Sequence, residues 1–207
     1  MPADSASAGL AGAQVRTVKQ CPPFLDAMRV GLLFPLATEL RVSGGEFSWD
    51  WDLPVHPVAR PSRSPIGVHF PEQIQGASGL GDPERLVLKF TNFWTVGLPD
   101  GWSMLFTHPH GRGDLPFRTL SGMVDCDGWS DGLVHFPSVW IDPDFDGVLP
   151  VGTPVAQGIP VRRDNLSLDI GEMSGEEVAS HLRVQDALQD EPGLYRKSYR
   201  SGGAGIT

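Results

Sequence analysis

Proline and glycine set the limits on this chain: 19 Pro and 25 Gly are spread so that no apolar run continues far without a residue that breaks a helix or turns a strand. The constraint is sharpest from Arg85 to Arg163. There "RLVLKFTNFWTVGLP", "WSMLFTHP", "FRTLSGMVD", "GLVHFPSVWI" and "GVLPVGTPVAQGIPVRR" are short β-branched and aromatic runs. Pro-Asp-Gly, Gly-Arg-Gly-Asp, Asp-Gly and Asp-Phe-Asp-Gly turns divide them at intervals of roughly 8–15 residues, the pattern of an all-β barrel or sandwich. One helix stands against this background. Ser174 with Glu177 three residues on forms a capping box, Val178, Leu182 and Leu188 follow at helical spacing, and Pro192-Gly193 stops the run.

The flanking segments complete the expected organisation. Residues 1–15 are rich in Ala, Ser and Gly and offer too little apolar surface to offset the entropy of ordering, so they are expected to be disordered. The β domain then spans 16–173, the helix 174–191 and a flexible tail 192–207. Within the β domain, Pro22, Pro23 and Pro35 prevent one long helix over "MRVGLLFPLATELRV" and leave short strands with a helical turn at Phe24 to Met28. The segment "FSWDWDLPVHPVARPSRSPIGVHFPEQ" is too aromatic for a disordered linker and reads as an ordered loop. At 207 residues the chain suits one globular domain with a small appendage.

Charge narrows the partners. Sixteen Lys and Arg face 25 Asp and Glu, a net charge of −9, which lacks the footprint of a protein gripping a nucleic-acid polymer. A single nucleotide stays open, since a few Arg residues and backbone N–H groups hold a phosphate whatever the net charge. Cys21 and Cys126 share no metal spacing and fit a reducing cytoplasm with both thiols free. No apolar run reaches the ~20 residues of a bilayer span, so no membrane partner is expected.

The residues with chemistry fall into three groups. In "MVDCDGWSDGLVHF", Asp125 stands at a strand end, which makes it the leading catalytic carboxylate, whereas Asp127, Asp131, Asp142, Asp144 and Asp146 read as turn formers. Cys126 between two acids reads as a buried thiol, since neighbouring carboxylates raise its pKa. His108 and His110, spaced i, i+2, would share one face of a strand; with His135 and a carboxylate from Asp114, Asp125 or Glu72 they compose an N/O set suited to Fe, Zn or Mn. The competing reading makes His108-Pro109-His110 a turn with exposed imidazoles. His56 and His69 sit near Trp49, Trp51 and Glu72, where packed, hydrogen-bonded roles compete with a pocket. Tyr195, Arg196, Lys197, Tyr199 and Arg200 form either a lid over an anion or a solvated end.

Three pieces, "NFWTVGLPDGWSMLFTHPHG", "TLSGMVDCDGWSDGLVHF" and "VLPVGTPVAQGIPV", occur in an order and spacing that resembles the trimeric dUTPase and dCTP deaminase superfamily. The resemblance covers about 80 of the 207 residues, and Gly122-Met-Val-Asp125 and Gly152-Thr-Pro-Val-Ala-Gln157 are its most specific parts. It implies a β-clip barrel with one C-terminal α-helix, a homotrimer with sites between subunits, and a small-molecule enzyme or binder acting on a nucleotide or related phosphorylated ligand. A hydrolase of this kind would release pyrophosphate with Mg²⁺. Carried over, Asp125 would orient the attacking water, Trp129 would stack on a deoxyribose, Gln157 would meet phosphate, and Arg200 in the Gly-rich tail would cover a triphosphate; His110 is a further candidate ligand-binding residue. Where the family's phosphate loop has Arg-Ser-Gly, this chain reads Thr107-His108-Pro109-His110-Gly111, and Pro109 removes one amide donor. The chain is also similar to a group of short bacterial and phage proteins of unknown function that share "CPPF", "NFW" and "GTPxAQxxP". Two other functions stay open beside the nucleotide reading: a transition-metal enzyme acting on an organic substrate in specialised metabolism, and a non-catalytic phage-like structural protein.

Overall fold

The computed structural model describes residues 21–50, 63–70, 86–164 and 166–200, with Val18, Gln73 and the backbone of 7–10 and 13–16. It divides into two compact units, one formed by both ends of the chain, Met1–Pro22 with Asn165–Thr207, and one by Pro23–Asp164. Where disorder is expected, the N-terminal segment carries an antiparallel hairpin, β1 (Ser7–Leu10) against β2 (Ala13–Arg16), with Ser7 opposite Arg16 and Leu10 opposite Ala13. Backbone pairing requires no apolar side chain, so a small-residue composition does not forbid it.

The larger unit begins with α1 (Pro22–Arg29), an eight-residue helix where a single turn is expected. Proline in the first turn costs it nothing, because those N–H groups have no intrahelical partner, and Arg29 faces the negative end of the helix dipole. Gly31 ends it at φ +75°, where a Cβ would run into the carbonyl of Gly158. That contact brings β3 (Leu32–Pro35) alongside the strand that Gly158 belongs to.

Eleven strands in three antiparallel sheets follow. After β3 come β4 (Leu40–Ser43), β5 (Glu46–Ser48), β6 (Ile66–His69), β7 (Val87–Phe90), β8 (Trp102–Thr107), β9 (Phe117–Thr119), β10 (Gly122–Val124), β11 (Phe136–Trp140), β12 (Gly147–Leu149) and β13 (Pro154–Arg162). The sheet orders are β10-β8-β13-β3, β6-β7-β11-β9 and β12-β4-β5. All three ladders are open among the described residues, so the all-β expectation holds without a closed barrel. "FRTLSGMVD", one run in the sequence, is cut at Leu120-Ser121 into β9 and β10, which join different sheets.

Aromatic side chains join the sheets. Phe34 and Phe106 of the first sheet meet Phe136 of the second with ring centroids 5.1 and 5.4 Å away, and Phe47 of the third sheet meets Trp140 of the second at 5.0 Å. Each such side chain contributes roughly 1.5–3 kcal/mol by leaving water. Cys126 is fully buried in this core, and burial first, then Asp125 and Asp127, pushes its thiol up, so it is the inert thiol expected. Two buried hydroxyls are partnered inside: Thr119 Oγ1 donates to the Val155 carbonyl at 2.5 Å and Ser138 Oγ to Thr119 Oγ1 at 3.0 Å.

In the terminal unit, α2 (Gly175–Asp190) carries the full capping box: Ser174 Oγ accepts from the Glu177 N–H, and the Glu177 carboxylate accepts from the Ser174 N–H. It has no buried residue, and Val178, Leu182 and Leu188 are 42–55% exposed. The tail expected to be flexible continues in a π-helical turn, Tyr195–Tyr199, closed by the Arg200 N–H on the Tyr195 carbonyl at 2.8 Å. No helix among the described residues is long and apolar enough to cross a membrane.

Candidate functional site

A cleft of about 450 Å³ opens where β8 ends and β9 begins. His108, His110, Arg112, Arg118, Thr119 and Ser121 supply its polar lining, and Phe117 and Ile141 its apolar part. No described residue that lines it is acidic. In a chain of net charge −9 this is a local reversal of sign. Arg118 makes no ion pair among the described residues. Arg112 is held by Asp114 in a two-pronged pair of 2.8 and 2.9 Å, which holds the Asp114 carboxyl below the usual carboxylate range and raises the guanidinium. That pair takes Nε and one N–H of Nη2 and leaves the Nη1 end of the fork for another anion.

The histidines do not share a strand face. β8 stops at Thr107, and His108-Pro109-His110 turns away, since Pro109 has no N–H to continue the ladder. His108 Nδ1 accepts from the Thr119 N–H at 3.3 Å, so its Nε2 is the donor that meets the Arg112 carbonyl at 2.9 Å. Both ring nitrogens are therefore engaged within the loop, and neither is offered to a metal. His110 Nδ1 donates to the Ala27 carbonyl of α1 at 2.8 Å. His135 lies at the start of β11 outside the cleft lining, its Nδ1 accepting from the Asn92 N–H at 3.2 Å. Burial and then the Lys89 ammonium lower its pKa, and a nearby cation opposes a second one. Among the described residues no group of three His, Cys, Asp or Glu converges as a metal set. Glu72, His56 and Trp51 lie outside the described residues.

Gln157 is expected to meet a phosphate, yet it is 1% exposed and builds the loop instead. Its Oε1 accepts from the His110 N–H at 2.9 Å, and its Nε2 donates to the Val30 and Ala27 carbonyls at 2.6 and 3.1 Å. One amide thus ties β13 to α1 and to the histidine loop. Gly111, next along, has φ +76°, and a Cβ there would stand 2.6 Å from Met28 Sδ, so the loop lies tight on α1. The sequence offered one signal of this, an amide in the middle of an apolar strand, which a core tolerates only when it is fully bonded.

Asp125 and Trp129 form a second place, away from the cleft. Asp125 Oδ1 accepts from Ser103 Oγ at 2.6 Å and from Arg163 Nη1 at 3.1 Å, while its side chain stays 69% exposed. Asp127 takes the other side of Arg163 and also accepts from the Gly101 N–H at 2.9 Å. The Arg163 hydrogen bonds hold the Asp127 carboxyl far below the usual range. The Asp125 carbonyl accepts from the Gly128 and Trp129 N–H groups at 3.1 and 2.9 Å, closing a tight turn that leaves the Trp129 ring 55% exposed. Ser103 and Asp125 are at the far end of the β8–β10 ladder from Thr107 and Ser121. Arg163 clamps this acidic turn to the start of β8; its only signal in the sequence is that it follows directly on β13 as a basic pair with Arg162. Arg200 belongs to the terminal unit. No protein-family model matches the chain, and no curated protein matches its sequence.

Proposed function

We propose that this protein binds, and as an enzyme acts on, a small phosphorylated ligand of the nucleotide class in the cleft between Thr107 and Ser121. The observation that carries the reading is the lining itself: among the described residues, Arg118 without an ion pair, Arg112 with part of its fork open, two imidazoles and no acidic group, in an otherwise acidic chain. Planar guanidinium forks match phosphate oxygens in pairs, which suits this set to a phosphate more than to a neutral ligand. The dUTPase resemblance supplies the rest of the reading: a β-clip arrangement, a trimer whose neighbouring subunit completes the site, and pyrophosphate release from a nucleoside triphosphate. Mg²⁺, where hydrolysis uses it, would arrive on the polyphosphate.

Titration calorimetry with dUTP, dCTP, inorganic tripolyphosphate and uncharged deoxyuridine tests this. Saturable binding of phosphorylated probes, with deoxyuridine far weaker, is expected. R118Q removes a charge-assisted contact of about 1.5–3 kcal/mol and should weaken phosphorylated probes roughly 10- to 100-fold. Absence of saturable binding for every phosphorylated probe at Kd below about 1 mM would overturn the reading.

A further inference from the structure

The sign of the cleft also selects a partner within the same sequence. We propose that the cleft takes the acidic segment Leu166–Glu177 of a second copy of this chain, in competition with the phosphorylated ligand; the inference rests on the anion preference proposed above.

The segment leads from β13 into α2 and is left uncovered. Leu166, Leu168, Ile170 and Met173 are 59–90% exposed, and residues 166–173 make no hydrogen bond or ion pair among the described residues. Single exposed aliphatic side chains are ordinary, but four of them gathered in eight residues mark a contact surface. Acids are interleaved with them. Asp169, Glu172, Glu176 and Glu177 fall between Leu166 and Val178, and no Lys or Arg does. Glu177 uses its carboxylate in the cap of α2, so Asp169, Glu172 and Glu176 face solvent with their charge available.

The cleft carries the complementary set. Arg118 has no ion pair among the described residues, and the pair with Asp114 leaves the Nη1 end of Arg112 open. Ile141, 38% exposed, supplies apolar surface beside them. A carboxylate offers a guanidinium two oxygens in one plane, as a phosphate does, and Asp114 on Arg112 already shows that fit in this loop. β9 is the last strand of its sheet among the described residues, and its exposed Arg118 stands between buried Phe117 and Thr119. Leu168-Asp169-Ile170 has the same alternation of polar and apolar. Laid extended beside β9, it sets Asp169 on the Arg118 face and its two aliphatic side chains on the other.

The occupant is a second copy because every copy carries both halves of the match, while in the chain's own structure the segment is exposed. A cleft on one copy and a segment on the next make a heterologous contact, which joins copies into a ring or an open chain. Two chains of net charge −9 repel at a distance, so the contact belongs to solutions near about 150 mM salt, where the Debye length is about 8 Å.

The test uses the full chain at that ionic strength, with inorganic tripolyphosphate and the synthetic peptide LSLDIGEMSGEE, residues 166–177, as probes. Sedimentation velocity over a range of protein concentrations should show reversible assembly that each probe reduces, and calorimetry should show the peptide weakening tripolyphosphate competitively. D169N/E172Q changes two exposed side chains that hold nothing in the fold. It should assemble less and, at high protein concentration, bind tripolyphosphate severalfold more tightly than the wild type. R118Q should weaken both probes together. A chain that stays monomeric to about 1 mM, or a peptide that leaves tripolyphosphate binding unchanged, would overturn the inference and leave the ligand reading intact. Assembly of D169N/E172Q equal to that of the wild type would remove the acids as its source and overturn the inference as well. Absence of tripolyphosphate binding would overturn the ligand reading, and with it the competition, even if the peptide binds.

Discussion

At the scale of single residues, His135 and Gln157 show how burial decides a role. His135 is disfavoured as a cation first by desolvation and then by Lys89. The unfolded ring titrates near its ordinary value of about 6.5, so as pH falls through that value the unfolded chain takes up a proton that the folded chain refuses. The stability associated with the neutral ring is present above about pH 6.5 and is lost on acidification toward the lower folded pKa. H135N, whose amide oxygen can still accept from the Asn92 N–H, should flatten the fall of the urea midpoint between pH 7 and 5; an unchanged slope would remove His135 as its source. Gln157 makes a different prediction. In Q157L the His110 N–H and the Val30 and Ala27 carbonyls lose a buried partner, each costing about 1–3 kcal/mol, so denaturation should show a loss of at least ~2 kcal/mol. The amide of Gln157 within an apolar strand signals a bonded role, but its partners are not legible in the sequence, because it reaches carbonyls 127 and 130 positions earlier and no local pattern encodes that distance. Asp125 was legible as a strand-end acid, but not its pairing with Arg163.

Elements whose signals are local were the legible ones. The capping box of α2 is written in four consecutive residues and is present as read. Strands bounded by Gly and Pro were likewise readable at β7, β8 and β11, where alternation and turn chemistry agree. The reading failed where partner choice decides the outcome: β9 and β10 are neighbours in sequence but belong to different sheets, and the N-terminal hairpin is held by ladder bonds that its composition does not reveal. Two histidines spaced for one strand face were turned off the strand by the single proline between them. Because α2 buries none of its residues, its stability rests on its own caps more than on packing. S174A removes a cap that contributes ~1 kcal/mol, so amide exchange in α2 should rise roughly fivefold, while the protection of β8 and β13 stays unchanged. Equal loosening of the strands would show that the helix and the sheets unfold together.

At the scale of the whole molecule, the sign of the charge and the sign of the cleft oppose each other, and that opposition has a kinetic signature. A polyanion approaching from a distance meets a chain of net charge −9, and only within a few ångströms does it meet Arg112 and Arg118. At about 10 mM ionic strength the Debye length is near 30 Å and the repulsion reaches far into solution, whereas at about 150 mM it is near 8 Å and the repulsion is cut off outside the cleft. The contact with the guanidinium groups acts over hydrogen-bond distances and is weakened less. Association should therefore speed up with salt, opposite to the usual steering of an anion toward a basic protein. Stopped-flow with a fluorescent dUTP analogue should show kon rising severalfold from about 10 to 150 mM salt, with koff rising as the Arg contacts are screened. If kon instead falls with salt, the field at the mouth of the cleft is positive, and the local cations outweigh the charge of the whole chain.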